Sequence, residues 1–394
     1  MKVITKTIWI LSFVSLFTDV ASEMLYPVMP IYLKSIGFSV VVIGVLEGFA
    51  EAVAGFSKGY FGKMSDNMGV RLPFVRWGYF LSAVAKPMMA MSVLPAWIFS
   101  ARTLDRIGKG IRTGARDAML SDEANPKTKG TVFGFHRSMD TLGAVIGPVS
   151  ALIFLYCYPG HYVALFYIAF IPGVLAISFT FLLKSKSPGP LQKITNTRFL
   201  DFVKYWKSSP LLYRKLVVGL LAFTLFNSSD VFLLLKIKDS GFSDTITISV
   251  YIFYNLIYAV FAYPVGILAD RVGLKNVLLF GFFVFAVVYA GMALYTNLYL
   301  FFALFFLYGV YAAATEGVAK AWITNIADKK DAATAIGTFT SFQSICTMLA
   351  SSITGVLWYK FGAVAAFFSS STVTIIVLLY LLTINNRNQA GQIK

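Results

Sequence analysis

The chain has 394 residues, of which 58% are hydrophobic and only 13% charged. A soluble domain carries about 25% charged residues, so a surface built from this composition would not stay in water. The formal net charge of +16 points to a membrane surface and not to nucleic acid, because most basic residues sit in connections between apolar runs and form no basic face.

A spanning helix needs about 20 mostly apolar residues. Runs of that kind occupy 7–33, 39–61, 74–94, 96–120, 131–156, 162–183, 212–235, 245–268, 276–295, 298–326, 332–358 and 364–384. They are too long and too uniformly apolar for barrel strands, so the expected class is an all-α polytopic membrane protein with twelve transmembrane helices. The first run contains Asp19 and Glu23 and has no small-residue cleavage site, so it reads as a span and not as a cleavable signal.

Charges recur inside the spans. Asp19 and Glu23 lie i, i+4 in the first span, and Glu47 and Glu51 repeat that spacing in the second. Lys86 sits midway along the third. The fourth carries Arg102, Asp105, Arg106 and Lys109, where Arg102–Asp105 and Asp105–Lys109 are spaced to pair within the helix. The fifth holds His136, Arg137 and Asp140, the seventh Asp230, and the tenth the i, i+4 pair Glu316 and Lys320. A charge in lipid costs from ~3 to more than 10 kcal/mol, so these groups should face a cavity or a partner. Arg112, Arg116, Asp117, Arg137 and Asp140 lie near the inner ends and read as a charge network closing one side. Asp19, Glu23, Arg106 and Lys109 lie deeper.

The connection at about 184–211 divides the chain into an N-terminal half (1–183) and a C-terminal half (212–394). It begins KSKSPGP, a breaker-rich linker. Phe199, Phe202, Val203 and Trp206 then follow a helical stripe, with Arg198, Lys204 and Lys207 off it. This suggests a short amphipathic helix on the inner membrane surface, the alternative being a solvated linker. Lys and Arg concentrate in 1–7, 62–73, 122–130, 184–215, 270–275, 328–331 and 385–394, while the opposite connections hold only Lys34, Lys236, Lys238 and Lys360. Both termini should therefore be cytoplasmic.

The halves repeat. GKMSDNMGVR (62–71) follows the second span and GILADRVGLK (266–275) the eighth, about half the chain later, and Asp19 and Asp230 are similarly related. GILADRVGLK closely resembles the motif A loop of the major facilitator superfamily, G-x-L-a-D-r-x-G-r-k. GKMSDNMGVR keeps Gly62, Asp66, Gly69 and Arg71, with Asn67 where a basic residue is usual. Asp66 could accept bonds at a neighbouring helix N-terminus. The resemblance implies two pseudo-symmetric six-helix bundles working by alternating access, with these loops as a cytoplasmic latch that includes Gly62, Asp66, Arg71, Asp270 and Arg271. Arg71 and Arg271 also read as membrane-surface anchors. GAVIGPVSA resembles the antiporter motif C: Gly143, Gly147 and Pro148 match, while Ser150 and Ala151 replace its final glycines. RIGKGIR partly resembles motif B of proton-coupled members, with Arg106 and Gly110 in register. The whole set RTLDRIGKGIRTGARDAML, FGFHRSMDTLGAVIGP and TEGVAKAW looks like a bacterial subgroup of this superfamily, which places the protein in the inner membrane.

The functional expectation is a secondary transporter of a small organic solute, coupled to protons and exporting by antiport. A proton-coupled carrier needs buried carboxylates whose ionisation changes as the cavity opens; Glu23 and Glu47 are the preferred carriers, then Asp19 and Glu51, with sodium as an alternative ion. The basic residues of the fourth span and Lys86 would suit an anionic group, and a symporter importing an anionic metabolite or metal chelate is the alternative. A sensor or lipid scramblase of the same fold is a further possibility. Tyr26, Trp77, Tyr254 and Trp322 could stack on substrate but more often serve packing or the membrane interface. GFSKG (55–59) matches a nucleophile pattern, but it lies in an apolar span with no preceding strand. GKGIRTG lacks dinucleotide-loop spacing, no P-loop is present, His136 and His161 give no metal motif, and Cys157 and Cys346 form none either. No cofactor and no metal are expected, the partners being the solute, protons and the bilayer, with the protein a monomer.

Overall fold

The computed structural model describes residues 3–26, 28–184 and 198–384. Among them are fourteen α-helices and no strand: α1 (Lys6–Leu25), α2 (Met29–Ser35), α3 (Val40–Met68), α4 (Leu72–Met91), α5 (Pro95–Glu123), α6 (Lys129–Cys157), α7 (Tyr162–Thr180), α8 (Asp201–Ser208), α9 (Leu211–Phe226), α10 (Asp230–Asp239), α11 (Asp244–Val272), α12 (Leu274–Leu294), α13 (Leu298–Ile326) and α14 (Ala332–Leu382). α14 contains the last two spans, parted at Gly362, whose φ of 82° breaks the helix. Eight helical stretches are long and apolar enough to cross a membrane, the last of them holding both of those spans. The charge-bearing α3, α4 and α5 complete the twelve.

Two expected spans are interrupted. The first is split between Tyr26 and Val28 into α1 and α2, and the seventh at Asn227–Ser229 into α9 and α10. In the seventh the reason is local: Asn227, Ser228 and Ser229 offer side chains in place of helical bonds, and the Ser229 hydroxyl caps α10 by accepting from Val231 N. Apolar-run counting does not register such a break, because the residues on both sides remain apolar. The breaks fall at corresponding places in the two halves.

Each half buries its own core. One cluster, around Phe223, Phe282, Phe285, Tyr289, Phe305 and Tyr308, fills the C-terminal bundle. The N-terminal bundle has two, one around Leu33, Phe166 and Met89 and one around Leu11, Tyr79 and Phe133. The bundles meet along two seams, α3 against α14 and α6 against α11. Glycines permit the close approach. A Cβ on Gly62 would fall 2.5 Å from the Ala333 carbonyl, and one on Gly266 would collide with the Gly130 carbonyl.

The linker segment 185–197, with most of KSKSPGP, and the tail 385–394 lie outside the described residues. α8 is present, but its packing differs from the sequence reading. Phe202 and Tyr205 are the buried pair, while Phe199 and Val203 are 54% and 38% exposed. Phe199 precedes the helix, and the site that receives α8 is the α3–α14 seam: Thr338 Oγ1 donates to the Phe202 carbonyl at 3.2 Å. Asp201, outside the membrane, accepts from Lys204 and from Arg198 N, and these bonds hold its carboxyl below the usual carboxylate range.

The seam glycines yield a prediction. In a background lacking Cys157 and Cys346, labelling of Ala333→Cys by an impermeant maleimide should be low and should rise several-fold when Gly62→Val is added. Overpacking of this kind typically costs about 1–3 kcal/mol, which the seam relieves by opening. Unchanged labelling would show that the seam does not depend on this contact.

Candidate functional site

The two repeated loops form reciprocal bonds between the bundles. α3 ends at Gly69, whose φ of 63° turns the chain into α4, and this turn leaves Asp66 facing the start of α14. Asp66 Oδ2 accepts from Thr334 N at 2.6 Å and Thr334 Oγ1 at 2.7 Å. In the other half, Asp270 accepts from Gly130 N at 2.8 Å and Thr131 N at 2.6 Å, at the start of α6. Each carboxylate thus satisfies the orphan donors and positive end of a helix in the opposite bundle. The pattern repeats two to three turns along the same helices: Ser341 Oγ donates to the Gly55 carbonyl at 2.6 Å, and Ser138 Oγ to the Ala259 carbonyl.

Arg71 is more than a surface anchor. It reaches Asp66 at 2.8 Å, Asp122 at 3.1 Å and the Lys329 carbonyl at 3.3 Å, locking the Asp66 side of the latch. Arg271 is exposed and makes no ion pair among the described residues, consistent with an anchor. Lys129 Nζ, unremarked in the sequence, adds a bond to the Thr324 carbonyl at 2.6 Å.

Farther into the membrane the bundles are joined by charge. Arg137 uses all three of its nitrogens: Nη1 meets Asp140 at 2.6 Å, Nη2 meets Glu316 at 2.5 Å, and Nε donates to Tyr258 Oη at 2.5 Å. Asp117, with a fully buried side chain, holds its neighbour Arg116 and, across the seam, Lys320, both at 2.8 Å. The i, i+4 pairing of Glu316 with Lys320 is therefore replaced by two cross-bundle pairs. Asp105 likewise pairs with Lys86 and Arg102, both at 3.6 Å, and not with Lys109. Helical spacing shows which charges share a face; it does not show that a neighbouring helix offers a better partner. Arg112 stays within its own bundle, donating to Ser82 Oγ at 2.6 Å and lying 4.6 Å over the Tyr79 ring.

Above these pairs lies a cavity of about 350 Å³ between the bundles. Asp19, Glu23, Lys109 and Arg112 line it from one side, with Asp230, Glu316 and Lys320 from the other. A smaller pocket of about 50 Å³ beside it brings Lys86, Arg102, Asp105 and Arg106 together with Asp19, Glu23, Lys109 and Arg112. The Asp19 and Asp140 carboxyls lie side by side, close enough for each to act on the other's charge. Gly143 and Gly147 make that contact possible: a Cβ on either would meet α1 backbone, at 2.5 Å from the Leu16 carbonyl and 2.7 Å from Met24 N. Pro148 follows them on α6. Glu23 has neither a hydrogen bond nor an ion pair among the described residues, whereas Asp230 accepts from Tyr308 Oη at 2.7 Å.

Glu47 and Glu51 stand outside this cavity. The Arg102 guanidinium forks onto Glu47, Nε at 2.9 Å and Nη2 at 2.7 Å, and Arg106 approaches the same carboxylate at 3.8 Å. Glu51 faces Lys58 at 3.9 Å and Ser344 at 3.4 Å. Lys58 itself lines the main cavity. Sequence reading saw it only inside the discarded GFSKG match, although its place midway along a span was the available signal. Tyr251, Tyr254 and Tyr258 line the cavity from α11; Tyr254 is among the aromatics the sequence singles out, and the i, i+3, i+7 spacing of the three is the signal for the other two. Trp322 is buried in the core and Trp77 is 61% exposed, so neither faces the cavity.

The Major Facilitator Superfamily model matches residues 11–253 and 217–394. An uncharacterized MFS-type transporter of Methanocaldococcus jannaschii is 34% identical over 389 residues, which are 97% of this chain and 95% of that protein. Among solved structures, the human organic anion transporter MFSD10 aligns with a TM-score of 0.76 at 16% identity, covering 95% of this chain and 98% of its own. The Escherichia coli fucose:proton symporter FucP aligns at 0.77 and 11% identity, covering 98% and 100%. At these identities the structural matches speak for the fold.

Two substitutions test the cross-bundle bonds. Asp117→Asn strands Arg116 and Lys320 in a buried site and should destabilise the purified protein by about 3–5 kcal/mol, with part regained when Lys320→Met is added. Asp66→Asn weakens bonds to a charged acceptor and should lower stability by about 1.5–3 kcal/mol. Thermal melts that match the unsubstituted protein for both would remove the latch from the account.

Proposed function

The chain belongs to the major facilitator superfamily, and from that premise we propose that it is a proton-coupled antiporter exporting a small organic solute. It is an integral, multi-pass membrane transporter and not an enzyme. The observation that carries the finer reading is the shared cavity: the Asp19–Asp140 pair and the unpartnered Glu23 line the same space that a solute would enter. Two neighbouring carboxyls resist double ionisation and so compete for a proton. A solute that needs those carboxylates free competes with the proton, and competition for one site is the requirement for exchange.

The orientation follows from the excess of Lys and Arg on the latch side, which we assign to the cytoplasm of a prokaryotic plasma membrane. With both latches made, the cavity is sealed from that side. Arg137 connects the cavity chemistry to the seal. It grips Asp140 in its own bundle and Glu316 in the other, so a change of charge at Asp140 alters its hold on Glu316. Glu47 is occupied by Arg102, which leaves Glu23 and Asp19 as the preferred carriers.

A second reading, symport of an anionic metabolite, has its own support. Lys109 lines both pockets and its ammonium has no ion-pair partner among the described residues, while Arg106 Nε is buried without a hydrogen-bond partner. An anion would find its complement on this wall.

Proteoliposomes containing a pH-sensitive dye, under an imposed pH gradient and challenged with a panel of organic cations, zwitterions and anions, separate the readings. Antiport expects solute and proton to move in opposite directions, with exchange falling to background in Glu23→Gln and Asp19→Asn. Movement in the same direction would establish symport, and flux that ignores both substitutions would place coupling elsewhere. Replacing sodium in the buffer without loss of flux completes the assignment to protons.

A further inference from the structure

A second chamber, of about 480 Å³, lies between the halves of α6 and α11 remote from the latches, with α10 closing one side. That volume falls in the range of ligand pockets, roughly 300–1,000 Å³. Its walls are apolar: Pro148 and Leu152 from α6, Val231 and Leu234 from α10, Ile248 and Ile252 from α11. Leu152 and Ile248 are 44% and 43% exposed, so the chamber is open on this side. The inner end is not apolar. Glu23, Asp230 and Tyr251 line both this chamber and the polar cavity.

Acyl chains would satisfy the walls but not two carboxyls, which are costly beside hydrocarbon unless a partner meets them. The backbone adds to the same field. α1 ends at Tyr26 and α9 at Asn227, inside the membrane, so two helix C-termini present partial negative charge near the junction. Broken spans of this kind bind ions and substrates at their half-helix ends, the C-terminal ends favouring cations. Tyr26 and Tyr251 supply ring faces at the same point, which also favour a cation. The cationic side chains Lys109 and Arg112 line the polar cavity but not the chamber.

We propose that this chamber is the apolar subsite of a cationic amphiphile: an alkyl- or arylammonium whose charged end meets Glu23 and Asp230 and whose apolar part lies between α6, α10 and α11. The proposal rests on the transport reading and names its solute class. It also supplies the competition that antiport needs, since an ammonium and a proton both seek Glu23.

The test is equilibrium binding of radiolabelled decyltrimethylammonium to the full-length protein in lipid nanodiscs, with empty nanodiscs as the blank. The expected result is saturable binding that decyl sulfate does not displace and that tetramethylammonium displaces only at much higher concentration. Leu152→Trp, which fills the chamber from its partly exposed side, should weaken binding by about tenfold or more (about 1.4 kcal/mol per tenfold), and so should Val231→Trp; Asp230→Asn should weaken decyl- and tetramethylammonium alike. Equal displacement by decyl sulfate, unchanged affinity in both tryptophan variants, or no saturable binding would each overturn the proposal. No gradient is applied, so the outcome is separate from that of the vesicle assay. Binding here without proton movement there would sink the coupling alone, and proton movement with another solute but no binding here would sink the chamber alone.

Discussion

The arrangement depends on a carboxylate of one bundle capping a helix of the other, made twice. Asp66 accepts from the start of α14 and Asp270 from the start of α6, so each latch satisfies donors that a helix end otherwise leaves to water. A carboxylate in this position combines hydrogen bonding with the helix dipole, and each such bond to a charged acceptor contributes about 1.5–3 kcal/mol. That is strong enough to define a state and weak enough to be exchanged for another. Because the two are related by the internal repeat, the seal is balanced across the molecule.

The deeper charges obey the same economy of partners. Taking a charge out of water is tolerable only when another group replaces the water, and here the replacement is often in the opposite bundle. Arg137 with Glu316 and Asp117 with Lys320 cannot persist if the halves move apart, so any opening of the latch side must leave these groups to water or to a different partner. Conformation and the pairing of these charges are coupled through that requirement.

The cavity is accordingly asymmetric. α5 contributes a cationic wall, with Asp105 and Glu47 already bound to Lys86 and Arg102, while Glu23 and Asp230 sit where the first and seventh spans are interrupted. Small residues set the spacing. Gly143 and Gly147 bring α6 against α1 and hold Asp19 beside Asp140. A glycine-to-proline run that reads in sequence as helix packing thus also fixes a pair of carboxyls.

Length, apolar runs and the repeated loop were enough to give the membrane class, the twelve crossings, the two bundles and the pair of loop aspartates. These follow from local composition and from motifs whose geometry is carried by neighbouring residues. The pool of buried charges was legible too, because a charge in an apolar run stands out wherever it points. Their pairings were not. Arg102 and Asp105 pair along α5 as spaced, but Glu316, Lys320 and Asp105 also take partners on other helices, whose distance no periodicity encodes, and Lys109 has no ion-pair partner among the described residues. The breaks at Tyr26 and Asn227, the place of Lys58 and the apolar chamber beside Glu23 were likewise decided by how helices cross, since a cavity is a property of the space between elements and not of any one of them.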